Sequence, residues 1–472
     1  MAFSSDGVLS AGCHSKKSMD WGEWLALNIV MPIVRFFGRA TGKNESGGVP
    51  VKMKSNPQGQ QDIIIIGGGI VGVATAALLT EAGRQVLVID RTGICEETSA
   101  GNAAALAFSD ILPLASKGVM RKVPGWLMDP LGPFTIRPSY LPKMVPWLYR
   151  FWRASSADAL AKTAIAQADI MRLASSEMMA LIDRAGLRDR LYENGTLELY
   201  ESETELAASQ PGWDIREQAG IAYEHVRGDR LAELQPGLSP RFVAGTFVPG
   251  WKNVSDPKLF GQAIWAYAES NGARFLQARV IDAKPGNGGA SVRLEGGTEI
   301  RAAHLVLMAG AWSRDLATGL GDKVPLDTER GYNTTLPVGS FDVRRQLTFP
   351  GHGFVVTPLE TGLRVGGAVE FGGLDLPPNF ARSEAMLKKA SMFLPGLRTE
   401  GGQQWMGYRP SMPDSLPVIG RASAGGNIYY GFGHGHLGLT QSAATGRLIR
   451  DLITDAAPAI DIEPFKPQRF RN

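Results

Sequence analysis

The stretch Asp62–Gly93, DIIIIGGGIVGVATAALLTEAGRQVLVIDRTG, decides the fold of this chain. It runs from a short apolar segment through a glycine turn and an apolar helix to a second apolar segment. Parallel strands buried on both faces are continuous apolar runs, and a helix must connect them. The stretch therefore predicts a strand, a helix and a parallel strand, which is the beginning of an α/β fold.

The first strand is followed by the glycine spacing GxGxxG, at Gly67, Gly69 and Gly72. The first glycine permits a tight turn, the second lets the backbone approach a pyrophosphate, and the third lets helix and strand pack closely. Free N–H groups at the helix start, around Ile70 and Val71, favour a bound anion. The pattern predicts a dinucleotide site rather than an ordinary glycine-rich turn.

An acidic residue stands where a dinucleotide ribose would need one. Asp90 ends the second strand eighteen residues after Gly72, and Arg91 follows it. A carboxylate at this spacing accepts hydrogen bonds from ribose hydroxyls. NAD and FAD share this pattern, so the cofactor must be decided by other segments.

Composition excludes several classes of protein. The chain has 472 residues, enough for one large domain or two to three ordinary ones, with 49 Lys and Arg against 46 Asp and Glu. This balance disfavours nucleic-acid binding. Cys13 and Cys95 are the only cysteines, which excludes a disulfide scaffold and a cysteine-rich metal site. A reducing, cytoplasmic location is the default expectation.

Residues 1–61 form an N-terminal extension before the first predicted strand. Trp24–Val34, WLALNIVMPIV, is apolar but too short to cross a bilayer, which takes about 20 residues. Nearby acidic residues and the lack of a small-residue cleavage site argue against a signal peptide. An interfacial helix with flanking Lys and Arg is one interpretation. A disordered extension is the slightly favoured alternative.

The segment Glu97–Ala105, ETSAGNAAA, suits a backbone that wraps around a flat ring. Here the chain resembles the D-amino-acid oxidase superfamily of FAD enzymes, and most closely the bacterial D-amino acid dehydrogenases. The resemblance implies that FAD is the cofactor and that Thr98, Ser99, Asn102 and Ala103 line its flavin.

Four further stretches carry the resemblance: Asp256–Phe260, the AGAWS turn from Ala309, the pattern WxGxRPxxPDxxPxIG from Trp405 to Gly420, and GHGHLGLT at Gly433–Thr440. The similarity covers most of the chain after residue 61. It implies additional FAD-binding residues at Val280, Ala309, Gly310, Trp312, Gly435, His436, Leu437, Gly438 and Thr440.

The glycine-rich loop at 433–440 also has a physical interpretation. Gly433, Gly435 and Gly438 stand just before a predicted helix, where backbone N–H groups favour the negative charge of a reduced flavin. His434 and His436 would alternatively suggest a metal ligand pair. Without nearby cysteine or carboxylate partners in the sequence, packing of the flavin loop is the favoured interpretation, and no metal is predicted.

Arg409 is the predicted anchor for a substrate carboxylate. Its planar guanidinium matches a carboxylate with two hydrogen bonds, and an arginine of this motif has that role in the resembling family. The alternative is a structural ion pair, for instance with Asp414. Tyr332 could bind the same carboxylate or shield the flavin, and a buried core tyrosine is nearly as well supported. Arg330 is a weaker candidate, because charged residues at strand starts are usually solvated.

The segment 116–153 combines seven basic residues and one acidic residue with many aromatic ones. Such a mixture is favoured where a protein meets lipid headgroups. Peripheral membrane contact at the inner face would let the flavin pass electrons to a quinone. A rigid lid over the active site is the equally supported alternative, and both can hold together.

The predicted fold class is α/β, with a Rossmann-like FAD-binding domain and an α+β substrate domain on an antiparallel sheet. The FAD-binding domain comprises residues 62–115, 255–325 and 405–472. The substrate domain comprises residues 116–254 and 326–404, with 116–153 as the lid segment.

The predicted function is FAD-dependent dehydrogenation of a D-amino acid, which includes proline-like substrates. Hydride leaves Cα for the flavin, and a quinone or another acceptor takes the electrons. One alternative is an amine oxidase of the glycine or sarcosine type that uses oxygen. A second is a non-catalytic FAD-binding subunit of an electron-transfer complex.

Overall fold

The computed structural model describes residues 61–113, 132 and 134–471. The interpretations of residues 1–60, and of residues 116–131 and 133 in the lid segment, lie outside the described residues. The strands are β1 Gln61–Ile66, β2 Val86–Asp90, β3 Ala105–Leu106, β4 Phe134–Ile136, β5 Leu191–Tyr192, β6 Thr196–Tyr200, β7 Glu224–Arg227, β8 Ala244–Val248, β9 Lys252–Val254, β10 Arg274–Gln277, β11 Val280–Gly286, β12 Gly289–Leu294, β13 Glu299–Leu307, β14 Asp327–Leu336, β15 Gln346–Phe349, β16 Phe354–Leu359, β17 Gly362–Phe371, β18 Gln403–Ser411, β19 Val418–Arg421 and β20 Ile428–Phe432. The α-helices are α1 Ile70–Glu81, α2 Leu141–Ala154, α3 Ala157–Arg184, α4 Glu203–Gln218, α5 Gly228–Leu234, α6 Pro257–Ser270, α7 Ser313–Gly319, α8 Ala381–Phe393 and α9 Gly438–Ile453.

The first sheet has a parallel core in the order β10, β2, β1, β13, to which β20 adds beyond β13. Ile63–Ile66 in β1 are at most 4% exposed, as expected for a strand covered on both faces. Helices α6 and α9 pack against α1, which is buried along most of its length. The predicted strand, helix and parallel strand at Asp62–Gly93 are confirmed.

The second sheet is mainly antiparallel and follows the order β18, β14, β17, β16, β15, β6, β8, β7. Strand β4 pairs with β17 in parallel, as β15 does with β6. The predicted fold class, a Rossmann-like unit with an antiparallel second sheet, is confirmed. The β14 and β17 side chains pack against α8 in a separate hydrophobic cluster.

One predicted boundary differs from the observed pairing. The sequence predicts residues 405–411 in the FAD-binding domain, but they lie in β18 and pair with β14 of the second sheet. The physical reason is that the motif from Trp405 to Gly420 spans two elements, and the chain returns to the first sheet only at β19. The other domain boundaries stay a prediction.

The described part of the chain has neither a membrane-spanning helix nor a cluster of metal-binding side chains. No helix among these residues combines the length and apolar character that crossing a membrane requires. They also contain no group of three or more His, Cys, Asp or Glu side chains placed to hold a metal ion.

Candidate active site

A cavity of about 660 Å³ lies between the two sheets. Residues at the carboxyl ends of β1, β2 and β13 line one side, where ligands bind in open α/β sheets. Strands of the second sheet line the other side. Arg409, Tyr332 and nearly all predicted cofactor-binding residues line this cavity, and Gly72 and Thr440 do not.

The glycine turn has the geometry that its sequence predicts. Gly67 has φ +117°, and a Cβ there would lie 2.3 Å from the carbonyl oxygen of Met308. Gly69 is the N-cap of α1 and offers no side-chain acceptor to the helix N–H groups. A Cβ on Gly72 would lie 2.0 Å from the carbonyl oxygen of Gly67, so this glycine permits close packing of helix and turn. The turn therefore leaves an open backbone cradle.

Asp90 is tied to the glycine turn. Its Oδ2 accepts the N–H of Gly68 at 2.8 Å, and its Oδ1 accepts the N–H of Thr92 at 2.8 Å. Arg91 pairs with Glu97 at 2.8 Å and stacks on the Trp312 ring at 3.9 Å from its centroid. The ribose contact of Asp90 stays a prediction, since the carboxylate already orders the turn.

The segment at 98–103 is held by long-range hydrogen bonds. Ser99 Oγ accepts the N–H of Ile70 at 3.0 Å and so caps α1 from a distance, and Thr98 donates to the Tyr408 carbonyl. Arg364, 8% exposed, donates to the carbonyl oxygens of Ala100 and Asn102. Burial lowers the pKa of Arg364 from its usual value. These contacts fix the backbone that lines the cavity.

Arg409 lies on β18 with its guanidinium against β17. Its Nη1 donates to the Ala368 carbonyl at 2.7 Å and its Nη2 to the Gly367 carbonyl at 3.3 Å. Burial lowers the pKa of Arg409 from its usual value. The charge of Glu329, its partner on β14, opposes this shift. The alternative partner Asp414 instead accepts from Arg469 at 2.8 Å. The structural ion pair considered for Arg409 and Asp414 is thus not formed.

Tyr332 lines the cavity, but its hydroxyl group is engaged with other residues. The hydroxyl donates to Glu370 Oε1 at 3.0 Å and accepts the N–H of Asn379 at 3.1 Å. The residue is 1% exposed. These contacts favour the core-tyrosine alternative, and a substrate contact of Tyr332 stays a prediction.

The solvent exposure of Arg330 differs from the prediction, which was a solvated side chain. It is fully buried, and it donates to the carbonyl oxygens of Gly373, Gly372 and Leu376 and pairs with Glu370. A dense set of acceptors makes the burial of this charge possible. Arg330 therefore organises the loop after β17.

The two histidines of the glycine-rich loop before α9 lie in different environments. His434 is buried and its Nε2 lies 2.8 Å from Thr445 Oγ1, and burial lowers its pKa to about 3. His436 lines the cavity, with Nε2 2.6 Å from Glu329 Oε2. The N–H of Gly435 donates to the Pro410 carbonyl at 2.7 Å, which joins the loop to β18. Thr440 bonds the backbone of Ala105 and Ala107.

One wall of the cavity carries charged side chains that the sequence does not predict as part of the site. Arg216 lies 3.6 Å from Asp110, and Glu198 lines the same wall. Burial raises the pKa of both carboxyls, and the charge of Arg216 opposes that rise. No motif marks these residues, because they come from three elements that only the fold brings together.

Comparison with known proteins identifies the family. The family model described as "FAD dependent oxidoreductase", DAO, matches residues 62–452. The chain belongs to the DAO family. A D-amino-acid oxidase from Bradyrhizobium diazoefficiens is 36% identical over 425 residues, which cover 88% of this chain and all of that protein.

Solved structures show the same fold as this DAO-family chain. Glycine oxidase from Geobacillus kaustophilus matches with a TM-score of 0.68 at 20% identity, covering 87% of this chain and 99% of that one. L-proline dehydrogenase from P. horikoshii matches with a TM-score of 0.67 at 20% identity, covering 87% and 98%. The family model makes the chain an FAD-dependent oxidoreductase, and the prediction of FAD as the cofactor is confirmed.

The residues of the DAO-family site fit FAD. The glycine turn at Gly67 and Gly69 leads directly into the N-terminus of α1, where Gly69 offers no side-chain cap, and a helix N-terminus suits a pyrophosphate. Asn102 carries a buried Oδ1 without a hydrogen-bond partner among the described residues. At the other end of the cavity, α9 begins at Gly438 without a side-chain cap, directly after the loop that contains Gly435. Individual contacts of these residues with FAD stay a prediction.

Proposed function

We propose that this enzyme oxidises D-amino acids, including proline-like ones, and passes the electrons to a quinone or a similar acceptor. The observation that carries the proposal is the partly buried Arg409 guanidinium, which lines the cavity while two of its nitrogens are fixed by β17 carbonyls. The D-amino-acid oxidase relative supports the substrate class.

Arg409 binds the substrate carboxylate and thereby orients the Cα–H bond. A partly buried cationic group attracts a carboxylate more strongly than a fully solvated one does. FAD, when bound, supplies the hydride acceptor. The protein contributes orientation and exclusion of water, and the imino acid product hydrolyses in water to a 2-oxo acid or stays a cyclic imine.

The decisive experiment is anaerobic mixing of the purified enzyme with D-amino acids and their L-enantiomers. D-amino acids, with D-proline and hydroxylated prolines among them, should bleach the flavin. Arg409→Ala should retain FAD but lose reduction by about 10²-fold or more. The matched control is Arg293→Ala, an exposed arginine in a surface pair. Equal reduction rates in Arg409→Ala and wild type would refute the assignment.

The electron acceptor is tested on the same preparation. A dehydrogenase should reduce quinone or dye with little hydrogen peroxide, whereas a glycine or sarcosine type oxidase should form peroxide in proportion to substrate. A non-catalytic flavoprotein subunit should stay oxidised with every substrate.

We also propose that the protein contacts a membrane surface, and helix α2 supports this part of the proposal. Its inner face is buried through Met144 and Trp147, whereas Leu141, Val145, Tyr149 and Trp152 are 42–57% exposed at spacings of three or four residues. This exposed stripe has Lys143, Arg150 and Arg153 beside it. An apolar stripe with basic flanks suits a surface of anionic lipids.

The membrane contact is tested by sedimentation with vesicles. Wild type should sediment with phosphatidylglycerol vesicles and much less with phosphatidylcholine vesicles. Trp152→Ser combined with Tyr149→Ser should abolish this binding. The control is Ile165→Ser, since Ile165 is 65% exposed on α3 outside the stripe. Equal loss in the control, or binding that ignores lipid charge, would contradict the contact.

A further inference from the structure

His436 and the buried Glu329 form a hydrogen-bonded pair beside Arg409. His436 Nε2 and Glu329 Oε2 are 2.6 Å apart, and Glu329 is 3% exposed. The other Glu329 oxygen accepts from Ser411 Oγ at 2.6 Å. Both carboxylate oxygens are therefore occupied, and the carboxylate is fixed in orientation.

Glu329 is held in its ionised form. Burial by itself would raise its pKa, but the charge and hydrogen bond of His436, the hydrogen bond of Ser411 and the charge of Arg409 together lower it. An ionised carboxylate can only accept hydrogen bonds. The imidazole must therefore carry a proton on Nε2, so a neutral His436 has its lone pair on Nδ1.

The Nδ1 side of His436 is available to a ligand. The side chain is 36% exposed and lines the cavity, and its Nδ1 has no hydrogen-bond partner among the described residues. The hydrogen bond from Gly435 N–H to the Pro410 carbonyl places this residue next to the strand that carries Arg409. A substrate held through its carboxylate has its amine only two bonds further on, at Cα.

We infer that His436 Nδ1 is the base that removes a proton from the substrate ammonium group before oxidation. This inference rests on the proposed function, in which Arg409 binds the carboxylate. An N–H bond of the ammonium breaks, its electron pair stays on the amine nitrogen, and an N–H bond forms at Nδ1. No electron is exchanged in this step. The positive charge passes to the imidazole, where Glu329 stabilises it, and the proton is later released to water.

The charges around His436 suit this role. Glu329 faces it from β14, Arg409 acts on Glu329 from β18, and Asp110 lies within electrostatic range from the segment after β3. His434 on the same loop is buried against Thr445. Two carboxylates, Glu329 and Asp110, therefore lie around the imidazole, with Arg409 acting on the first and Arg216 paired with the second at 3.6 Å.

The kinetic test compares His436→Gln with wild type. Glutamine keeps polarity and size but cannot take the proton, so flavin reduction by D-amino acids should fall about 10²-fold near pH 7. The loss should shrink toward wild type at the pH where the free amino acid loses its own ammonium proton. Affinity for benzoate, a carboxylate without an amine, should change by less than about threefold, whereas Arg409→Ala should lose it.

A matched control exists in this chain. His352 also lies 2.6 Å from a glutamate, Glu201, but it does not line the cavity. His352→Gln should leave the pH profile of reduction unchanged. Added imidazole should restore part of the rate in His436→Gly and none in Arg409→Ala.

A second readout does not depend on turnover. Ring-nitrogen NMR of the histidine-labelled holoenzyme should show one signal of the Nε2-protonated tautomer that disappears in His436→Gln. Glu329→Gln should shift that signal. An unchanged pH profile in His436→Gln, or an Nδ1-protonated tautomer, would overturn the inference even if D-amino acids reduce the wild type. Failure of all D-amino acids with wild type would instead refute the proposed function.

Discussion

Gly331 lies directly beneath Arg409. The two residues are on the paired strands β14 and β18, and a Cβ on residue 331 would come 2.3 Å from Arg409 Nη2. Real Cβ atoms essentially never approach another atom so closely, so the guanidinium rests in space that only glycine leaves open.

Gly331→Ala should therefore displace the guanidinium while FAD stays bound. We expect KM for a D-amino acid to rise about tenfold or more, a change of about 1.4 kcal/mol or more in binding. Steady-state kinetics and the flavin spectrum measure both quantities. Gly250→Ala is the control, because nothing lies within 4 Å of its Cβ. A wild-type KM in Gly331→Ala would show that the guanidinium is not confined.

Arg364→Met should loosen the backbone at Ala100 and Asn102, which is predicted to contact the flavin. The substitution leaves the carbonyl oxygens of Ala100 and Asn102 without their donor, at a cost of about 1 to 3 kcal/mol in the free energy of unfolding. We expect a lower melting temperature and a weaker affinity for FAD, measured by calorimetry and by titration of the apoprotein. The exposed Arg301→Met should change stability by at most about 0.5 kcal/mol. Unaltered FAD affinity would rule out the positioning role.

Ser99→Ala should remove the remote cap of helix α1. The N–H of Ile70 loses its acceptor, and loss of a cap typically costs about 0.5 to 2 kcal/mol. Denaturant unfolding of the apoprotein measures this cost. Ser270→Ala, at the exposed end of α6, should be nearly neutral and serves for comparison. Equal stability of Ser99→Ala and wild type would contradict the cap.

His434 should make stability fall in mild acid. Its pKa is about 3 in the folded protein and about 6.5 when unfolded. Between these values the unfolded chain binds a proton that the folded chain does not. The free energy of unfolding therefore decreases by up to about 1.4 kcal/mol per pH unit as pH falls through this window. Stability contributed by the neutral form is fully present above about pH 6.5.

The measurement is urea unfolding of wild type and His434→Asn across that pH window. The variant should show a shallower dependence of unfolding free energy on pH. Parallel curves for the two proteins would mean that the folded protein protonates His434 as readily as the unfolded chain does.

Much of the first sheet could be predicted because its signals are local. The strand before Gly67, the buried helix after it and Asp90 lie within one stretch of chain, and each has a distinct pattern. The loop at Gly433–Thr440 is similarly continuous. Local periodicity and turn chemistry are sufficient for such units.

The second sheet and the charges it gathers could not be predicted in this way. Glu329 faces Arg409 only through the register of β14 and β18, which pairs residues eighty positions apart. The burial of Arg330 depends on carbonyl groups of the loop after β17, and no pattern around Arg330 indicates them. Pairing of strands that are distant in sequence brings these side chains together. Patterns among neighbouring residues therefore do not predict the cluster.

The hydrogen bond from the Gly435 N–H to the Pro410 carbonyl couples β18, which carries the proposed substrate anchor, to the loop predicted to bind the flavin. A shift of β18 that accommodates a larger substrate must therefore also move the N–H groups at the start of α9. Substrate binding and flavin reduction are thermodynamically linked. If bound substrate changes the flavin midpoint potential, reduction of the flavin changes the substrate affinity by the equivalent free energy. Engineering of substrate range along β18 should consequently retune the electron affinity of the cofactor, and the two properties should be optimised together.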